Sequence, residues 1–570
     1  MRNSSKIAAV FIFALFILSS IFVLYAAEPS GDEVGPQAER FRMQAERERE
    51  TLEKKSKPPK VVIDEKKAVV PEGPAFLLQG IKPTGNAIVK TEDLAPIYQP
   101  YLGKQITFSD LETIVEKINK KYEQKGYLTT NVFVPEQDIK DGIVEIRIVE
   151  GLMGDVNVEG NKWNPASYFE KYFHLKKKDP LNIRKLQRDI LRLNKNPDTE
   201  VKTVISAGKE PATSDITLKV KDQFPWHVGF AEDNLGTRLT GKYRSSFTLR
   251  GSNVTGHGDK LFSSTISSKG SFGQFIGYSI PLDTFGTEAG MDITYFNMKL
   301  GKEYKALDIT GVTQIYTPYL NKELYLSDDF EGTAKIGMDI KSIKKRTGGD
   351  ITSSDQLRIP FFEFNFIEND NYGQSNISPR FNFSTQNFLG ASTRNHPTSS
   401  REGTGGFFFK YEQPMSRTQR MPFSSYCIMR SNFQLASHTL PSSEQFQLGG
   451  MNSIRGYPEG DYLADAGGNL NFDWVFPMYL IPSSWKIGNA QIPLRRQIQP
   501  VFFFDLGGGK NKKVLAGEKE DKFLMGIGGG LRMNFNNNFN LRLEWAKHLG
   551  DEPGGGSGPA SFYFALQCEI

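Results

Sequence analysis

The segment Ser453-Ile454-Arg455-Gly456-Tyr457, with Phe503-x-Asp505-x-Gly507 further along, belongs to no soluble enzyme motif. In a strand, residues two apart share a face. Phe503, Asp505 and Gly507 therefore point one way, and Phe502, Phe504 and Leu506 the other. The apolar face suits lipid, and the face with the carboxylate suits a watery lumen. Gly507 has no side chain and admits a second backbone. Arg455, on a loop hinged at Gly456, is a fitting partner for Asp505, because its planar fork matches a carboxylate and stays charged at physiological pH. Either piece alone reads better as a surface turn beside an ordinary hydrophobic strand. The remainder of the chain favours an outer-membrane β-barrel that grips an inward-folded loop.

The 570 residues call for more than one domain. Residues 1–27 read as an export signal: Arg2 and Lys6, an apolar run Ile7–Tyr25, then Ala26-Ala27. The run is long for a cleaved signal, so an uncleaved anchor stays open as the alternative. No later segment has the length and apolarity of a membrane-spanning helix. An exported chain of negative mean hydropathy that is still 12% aromatic fits a transmembrane barrel, whose lipid-facing residues alternate with polar ones. Cys427 and Cys568 form no metal spacing, and His174, His227, His257, His396, His438 and His548 are scattered. A net charge of +5 in so long a chain gives no footprint for nucleic acid. No catalytic, cofactor-binding or metal-binding constellation is expected. Gly526-x-Gly528 lies between strand-like runs without a following helix, so it reads as small lumen-facing residues rather than a nucleotide loop.

Residues 28–73 are hydrophilic. Gln37–Lys57 strings together helix formers with only Phe41, Met43 and Leu52 as sizeable apolar side chains. Such a helix has little to pack on a core and is either solvated or seated in a polar channel. Pro58-Pro59 ends it, and an extended linker follows. From 74 to 222 the texture is compact α+β in two similar units, 74–152 and 153–222. Phe108-Ser109-x-x-Glu112 in the first suggests a capping box before the stripe Leu111, Ile114, Val115, Ile118. From 223 to 570, strand follows strand: Phe362, Phe364 and Phe366 alternate with Glu363 and Asn365, and Met291, Ile293 and Tyr295 with Asp292 and Thr294. Polar turns separate them, with long ones expected at Arg346–Asp355 and Thr393–Gly406. About 16 strands fit this length.

Together these features resemble the TpsB transporters of two-partner secretion, within the superfamily of outer-membrane barrels that carry polypeptide-transport-associated (POTRA) domains. The resemblance rests on several places in the chain. Asp233-Asn234-x-Gly236-x-x-x-Thr240-Gly241-x-x-Arg244 with Asn253, Gly256, Gly258 and Asp259 is similar to that family's first barrel hairpin. Gly449-Gly450 before Ser453–Tyr457 resembles its loop-six signature, with Ile454 in place of the usual Val, and Phe503-x-Asp505-x-Gly507 its partner motif. Gly526-x-Gly528-x-Gly530-x-Arg532, then Glu544, resembles its penultimate strand region. One departure is Ile570, where such barrels usually end in an aromatic residue.

The resemblance implies a transmembrane antiparallel β-barrel over 223–570, POTRA domains at 74–152 and 153–222, and a plug-like helix within 28–73. It implies an outer-membrane location with the POTRA domains in the periplasm. It also implies export of a large partner exoprotein such as a hemolysin or adhesin, received unfolded through its N-terminal region and passed through the pore. The bilayer and, during biogenesis, the barrel-assembly machinery are the other expected partners; nucleic acid is not. Arg455, Gly456 and Tyr457 would form the inward loop motif, and Phe503, Asp505 and Gly507 its wall partner. The rival reading is an assembly factor of the same superfamily, against which two POTRA units rather than more are the argument.

Overall fold

The computed structural model of the chain describes residues 33–53, 75–139, 141–394, 396–486, 492–515, 518–535, 538–554 and 560–569. The expected export signal, the linker and Ile570 lie outside the described residues.

Alternation of apolar and polar side chains closes the C-terminal half into an antiparallel barrel of 16 strands. It starts at Trp226–Asp233, ends at Ala560–Glu569, and closes by pairing of these two, with Ala565 opposite Asp233. One strand is interrupted, as Gly373–Ile377 and Arg380–Phe383, where Pro379 has no N–H to give the ladder. The longest hairpin, Phe330–Thr347 with Asp350–Asn369, corrects the expected long turn at 346–355. Gly348 and Gly349 both have positive φ, +60° and +95°, and make a two-residue turn that follows strand twist, so the ladder continues to its tip.

Two α+β units precede the barrel. The first has a sheet in the order Gly80–Thr84, Ile143–Val149, Asn131–Phe133, the outer pairings being parallel and antiparallel. The second repeats this with Leu152–Glu159, Thr213–Asp222, Thr199–Ala207. In the first, Leu111, Ile114, Ile118 and Tyr122 of helix Phe108–Gln124 are buried on the sheet residues Val144, Ile146 and Ile148. The helix is capped two residues ahead of expectation. Thr107 is the N-cap, and Asp110 rather than Glu112 returns the bond, accepting from the Thr107 N–H at 2.8 Å. Ser109 is inside the helix because Thr107 already satisfies its leading N–H groups.

The second unit is pinned to one rim of the barrel. Arg192 Nη2 and Lys195 Nζ both donate to Glu323, at 2.9 and 3.0 Å. His227 Nε2 lies 2.7 Å from Asp198 Oδ1, and His174 Nε2 lies 2.8 Å from Thr284 Oγ1. Burial would raise the Asp198 carboxyl, but bonds from His227 and Ser252 and the charge of Arg250 outweigh it and lower its pKa.

The N-terminal helix, Val34–Glu53, runs inside the barrel, and here the expectation of little apolar contact is corrected. Val34, Ala38, Phe41 and Ala45 form a buried stripe along one face. The wall makes room with glycines: a side chain at Gly311 would meet Val34, and one at Gly273 would meet Phe41. Phe41 stacks at an angle on Phe296, ring centroids 6.2 Å apart. Polar contacts complete the seat: Arg42 to Asp339 at 3.3 Å, Lys341 to Glu39 at 3.3 Å, and Arg49 to Asp292 at 2.7 Å. Below the helix, Arg49 helps line a cavity of about 900 Å³ that reaches Tyr172 and Lys195 of the second unit.

Candidate functional site: a loop locked inside the barrel

The connection between strands Tyr426–Ala436 and Ala466–Val475 folds inward rather than away from the rim. Its backbone turns at Gly449, Gly450 and Gly456, all with φ near +100° (100°, 95° and 98°), a region that favours glycine. Gly456 is required twice over, because an added Cβ would also lie 2.7 Å from the His548 backbone N.

At its tip, Arg455 is wholly buried. Its Nε donates to Asp505 Oδ2 and its Nη2 to Asp505 Oδ1, both at 2.7 Å, and its backbone N–H donates to Oδ2 at 3.0 Å. Nη2 also donates to Asp473 at 2.5 Å and Nη1 to Glu544 at 3.1 Å. The guanidinium carbon sits over the Phe503 ring, 3.6 Å from its centroid, which adds a cation–π contact. Three carboxylates around one cation would leave an excess of negative charge in a dry site. Arg532 corrects it by donating to Asp473 and Glu544 at 2.7 and 2.8 Å, with Arg430 on Asp473 at 2.8 Å and Arg542 on Glu544 at 3.0 Å.

Tyr457 packs with Leu448, Ile454, Tyr462 and Leu524. The Tyr563 hydroxyl fixes the hinge: it accepts from the Gly456 N–H at 2.9 Å and donates to the Tyr457 carbonyl at 3.2 Å. The structure thus brings Arg455, Gly456, Tyr457, Phe503 and Asp505 together. Gly507 stands apart from the loop. The backbone it admits is that of the neighbouring strand, where an added Cβ would lie 2.7 Å from the Gly468 carbonyl oxygen. The loop's own close approach is at Gly526, where an added Cβ would lie 2.0 Å from the Arg455 carbonyl oxygen.

That spacing yields a prediction. Valine at Gly526 suits a strand and should leave the barrel intact, yet it must push the Arg455 backbone off its seat. The expected cost to the docked loop is about 1–3 kcal/mol. Trypsin should then cut after Arg455 in the solubilised Gly526→Val protein but not in the parent; equal protection in both would show that the seat is not needed.

Asp473 and Glu544, which hold Arg455, and Tyr563, which holds the Gly456 and Tyr457 backbone, are members of the site that the motifs do not include. Their signal was present as inward polar positions in alternating strands, Asn469-x-Asn471-x-Asp473 and Arg542-x-Glu544. Among the described residues no cluster of His, Cys, Asp or Glu has the geometry of a metal site.

A sequence profile described as "Haemolysin secretion/activation protein ShlB/FhaC/HecB" matches residues 212–533. The chain belongs to this family. Residues 76–151 match a second profile, "POTRA domain, ShlB-type". Among individual relatives, the heme/hemopexin transporter protein HuxB of Haemophilus influenzae is 25% identical over 489 residues, 81% of this chain and 82% of its own. The outer membrane transporter CdiB of Dickeya dadantii is 23% identical over 408 residues, 68% and 70% of the two chains. In fold, CdiB from Escherichia coli superposes with a TM-score of 0.74 at 19% identity, covering 96% of this chain and 100% of that one. This family consists of transporters, and the chain is an outer-membrane transporter that secretes a partner exoprotein. Its POTRA domain lies in the periplasm, so the rim that carries the α+β units faces that compartment.

Proposed function

We propose that this transporter moves one dedicated, large partner, a hemolysin- or adhesin-like exoprotein, and performs no catalysis of its own. The observation that supports this reading is a lumen occupied by a helix that meets the wall through the stripe Val34, Ala38, Phe41 and Ala45 and is held otherwise by ion pairs. In this reading the chain divides into an export signal (1–27), a plug helix with its linker (28–73), POTRA domains at 74–152 and 153–222, and the barrel (223–570). The repeated strand order of the two α+β units supports a second POTRA domain.

The partner arrives unfolded, N-terminal region first. It adds as a strand to the sheet edges Asn131–Phe133 and Thr199–Ala207, where backbone hydrogen bonds tolerate many sequences. Exposed Phe133 and Val204 on those edges offer apolar contact for alternate side chains. The partner then passes through the cavity beside Arg49 as the helix leaves, and folds outside. Arg455 keeps the inward loop fixed to the wall while this happens, so that the pore opens along one face. Insertion of the barrel itself falls to the barrel-assembly machinery.

A photo-crosslinking residue at Phe133 or Val204 of the full-length protein, in its own outer membrane, tests this. One dominant large exported polypeptide, joined through its N-terminal region, is the expected product. A spread of barrel precursors would instead identify an assembly factor.

A further inference from the structure

On the periplasmic rim the barrel connections are mostly tight, such as Ser327–Asp329. The connection between strands Ala466–Val475 and Ile498–Lys510 is different: it runs through residues 476–497. Its two limbs are tied together. The Met478 N–H donates to the Arg495 carbonyl at 2.8 Å, and the Leu494 N–H to the Trp485 carbonyl at 2.8 Å. The chain leaves the barrel on its outer surface, because Phe476 packs on Trp474 (centroids 4.7 Å apart) and Phe502 (6.1 Å), both on the lipid-facing wall. The Tyr479 hydroxyl donates to the Phe423 carbonyl and joins this lobe to the next turn.

The lobe presents what a folded protein ordinarily hides. Leu480 is 92% exposed, Phe423 86% and Trp485 59%. Residues 476–497 also contain Lys486, Arg495 and Arg496 and no acidic residue. Among the described residues none of these three cations is ion-paired, and Arg495 Nε is buried without a hydrogen-bond partner. Exposed leucine and aromatic side chains beside basic ones are what an interfacial membrane segment carries: the apolar groups enter the acyl boundary and the cations meet lipid phosphates. Continuity with the lipid-facing wall through Trp474, Phe476 and Phe502 places the lobe at the periplasmic leaflet.

We propose that the two limbs 476–486 and 492–497, with Phe423, form a binding site for anionic phospholipid in the periplasmic leaflet of the outer membrane. Leu480, Trp485 and Phe423 insert, and Lys486, Arg495 and Arg496 hold the phosphate. The site would fix the barrel's depth and tilt on the side of that long connection.

The full-length protein in detergent, titrated with phosphatidylglycerol or phosphatidylethanolamine and weighed by native mass spectrometry, tests this. The parent should retain phosphatidylglycerol preferentially. The variant K486Q/R495Q/R496Q should bind it about tenfold or more weakly, as loss of three cations near an anionic surface requires. A control variant at the opposite rim, K302Q/K305Q/K344Q, should bind as the parent does, and heat-modifiable migration on gels verifies that each barrel is folded. In bilayers containing dibrominated phosphatidylglycerol, the part of tryptophan quenching lost in Trp485→Phe reports insertion of the lobe. Unchanged phosphatidylglycerol retention in the triple variant, or no Trp485-dependent quenching, overturns the proposal; a lobe that docks a periplasmic protein instead would give both results.

Discussion

Arg455→Ala is expected to cut release of the partner exoprotein by about tenfold or more while the barrel remains folded in the outer membrane. The side chain is fully buried, so its removal strands Asp505, Asp473 and Glu544 in a site closed to water. Breaking such a pair costs about 3–5 kcal/mol, which is roughly two to four powers of ten in the ratio of docked to free loop. The barrel should survive because its strands are joined by their own ladders, and Arg532, Arg430 and Arg542 still neutralise two of the three carboxylates. Arg455→Lys keeps the charge but loses the fork that reaches three partners, so it should recover only part of the activity. Release has to be normalised to the amount of heat-modifiable barrel, since lost assembly and lost transport otherwise look alike. Normal release by folded Arg455→Ala protein would reduce the network to a structural brace.

How far this site was legible in sequence depends on what kind of information each residue carries. Period-two alternation is local, and it is enough to put Phe503 and Asp505 together on the lumen face. The choice of Asp473 and Glu544 as further partners is not local. Asp473 reaches Arg455 because its strand pairs Asp473 with Phe503, and Glu544, two strands from Asp505, because it pairs with Gly530, which in turn pairs with Val501. Those registers follow from the shear of the closed barrel, which no short window of sequence contains. The seat at Gly526 is hidden for the same reason: a glycine in a strand announces close approach, but not by which backbone. The N-terminal helix shows a different limit. Its charged residues dominate its composition and mask the stripe Val34, Ala38, Phe41 and Ala45, whose fit depends on wall glycines, Gly311 against Val34 and Gly273 against Phe41. The tight turn at Gly348-Gly349, by contrast, was available in the sequence as a two-glycine hairpin signal and was obscured only by the polar residues around it.

Tethering the helix is expected to have an effect as large as unlocking the loop, and by the opposite route. Gly35 opens the helix's first turn against Ser443 of the inward loop connection, and a Cβ built on Gly35 lies 2.9 Å from the Ser443 Cβ. Disulfides hold the two Cβ atoms near 3.8 Å. A Gly35→Cys/Ser443→Cys pair therefore needs a movement of about 1 Å, which the end of a helix can give. The native Cys427 and Cys568 are both free, with Cys427 buried, and do not compete for this pairing within the chain. A helix that has to leave the lumen cannot do so when covalently joined to a loop that Arg455 holds to the wall, whereas ion pairs such as Arg42–Asp339 and Arg49–Asp292 open thermally. Oxidised cells should release about a tenth or less of the exoprotein released by cells carrying either single variant, and a membrane-permeant reductant should restore it. The reversal matters, because it separates a blocked pore from a damaged barrel in the same molecules. If fully cross-linked protein exported its partner normally, the helix would be a fixed part of the channel wall, and the path of the exoprotein would have to run beside it.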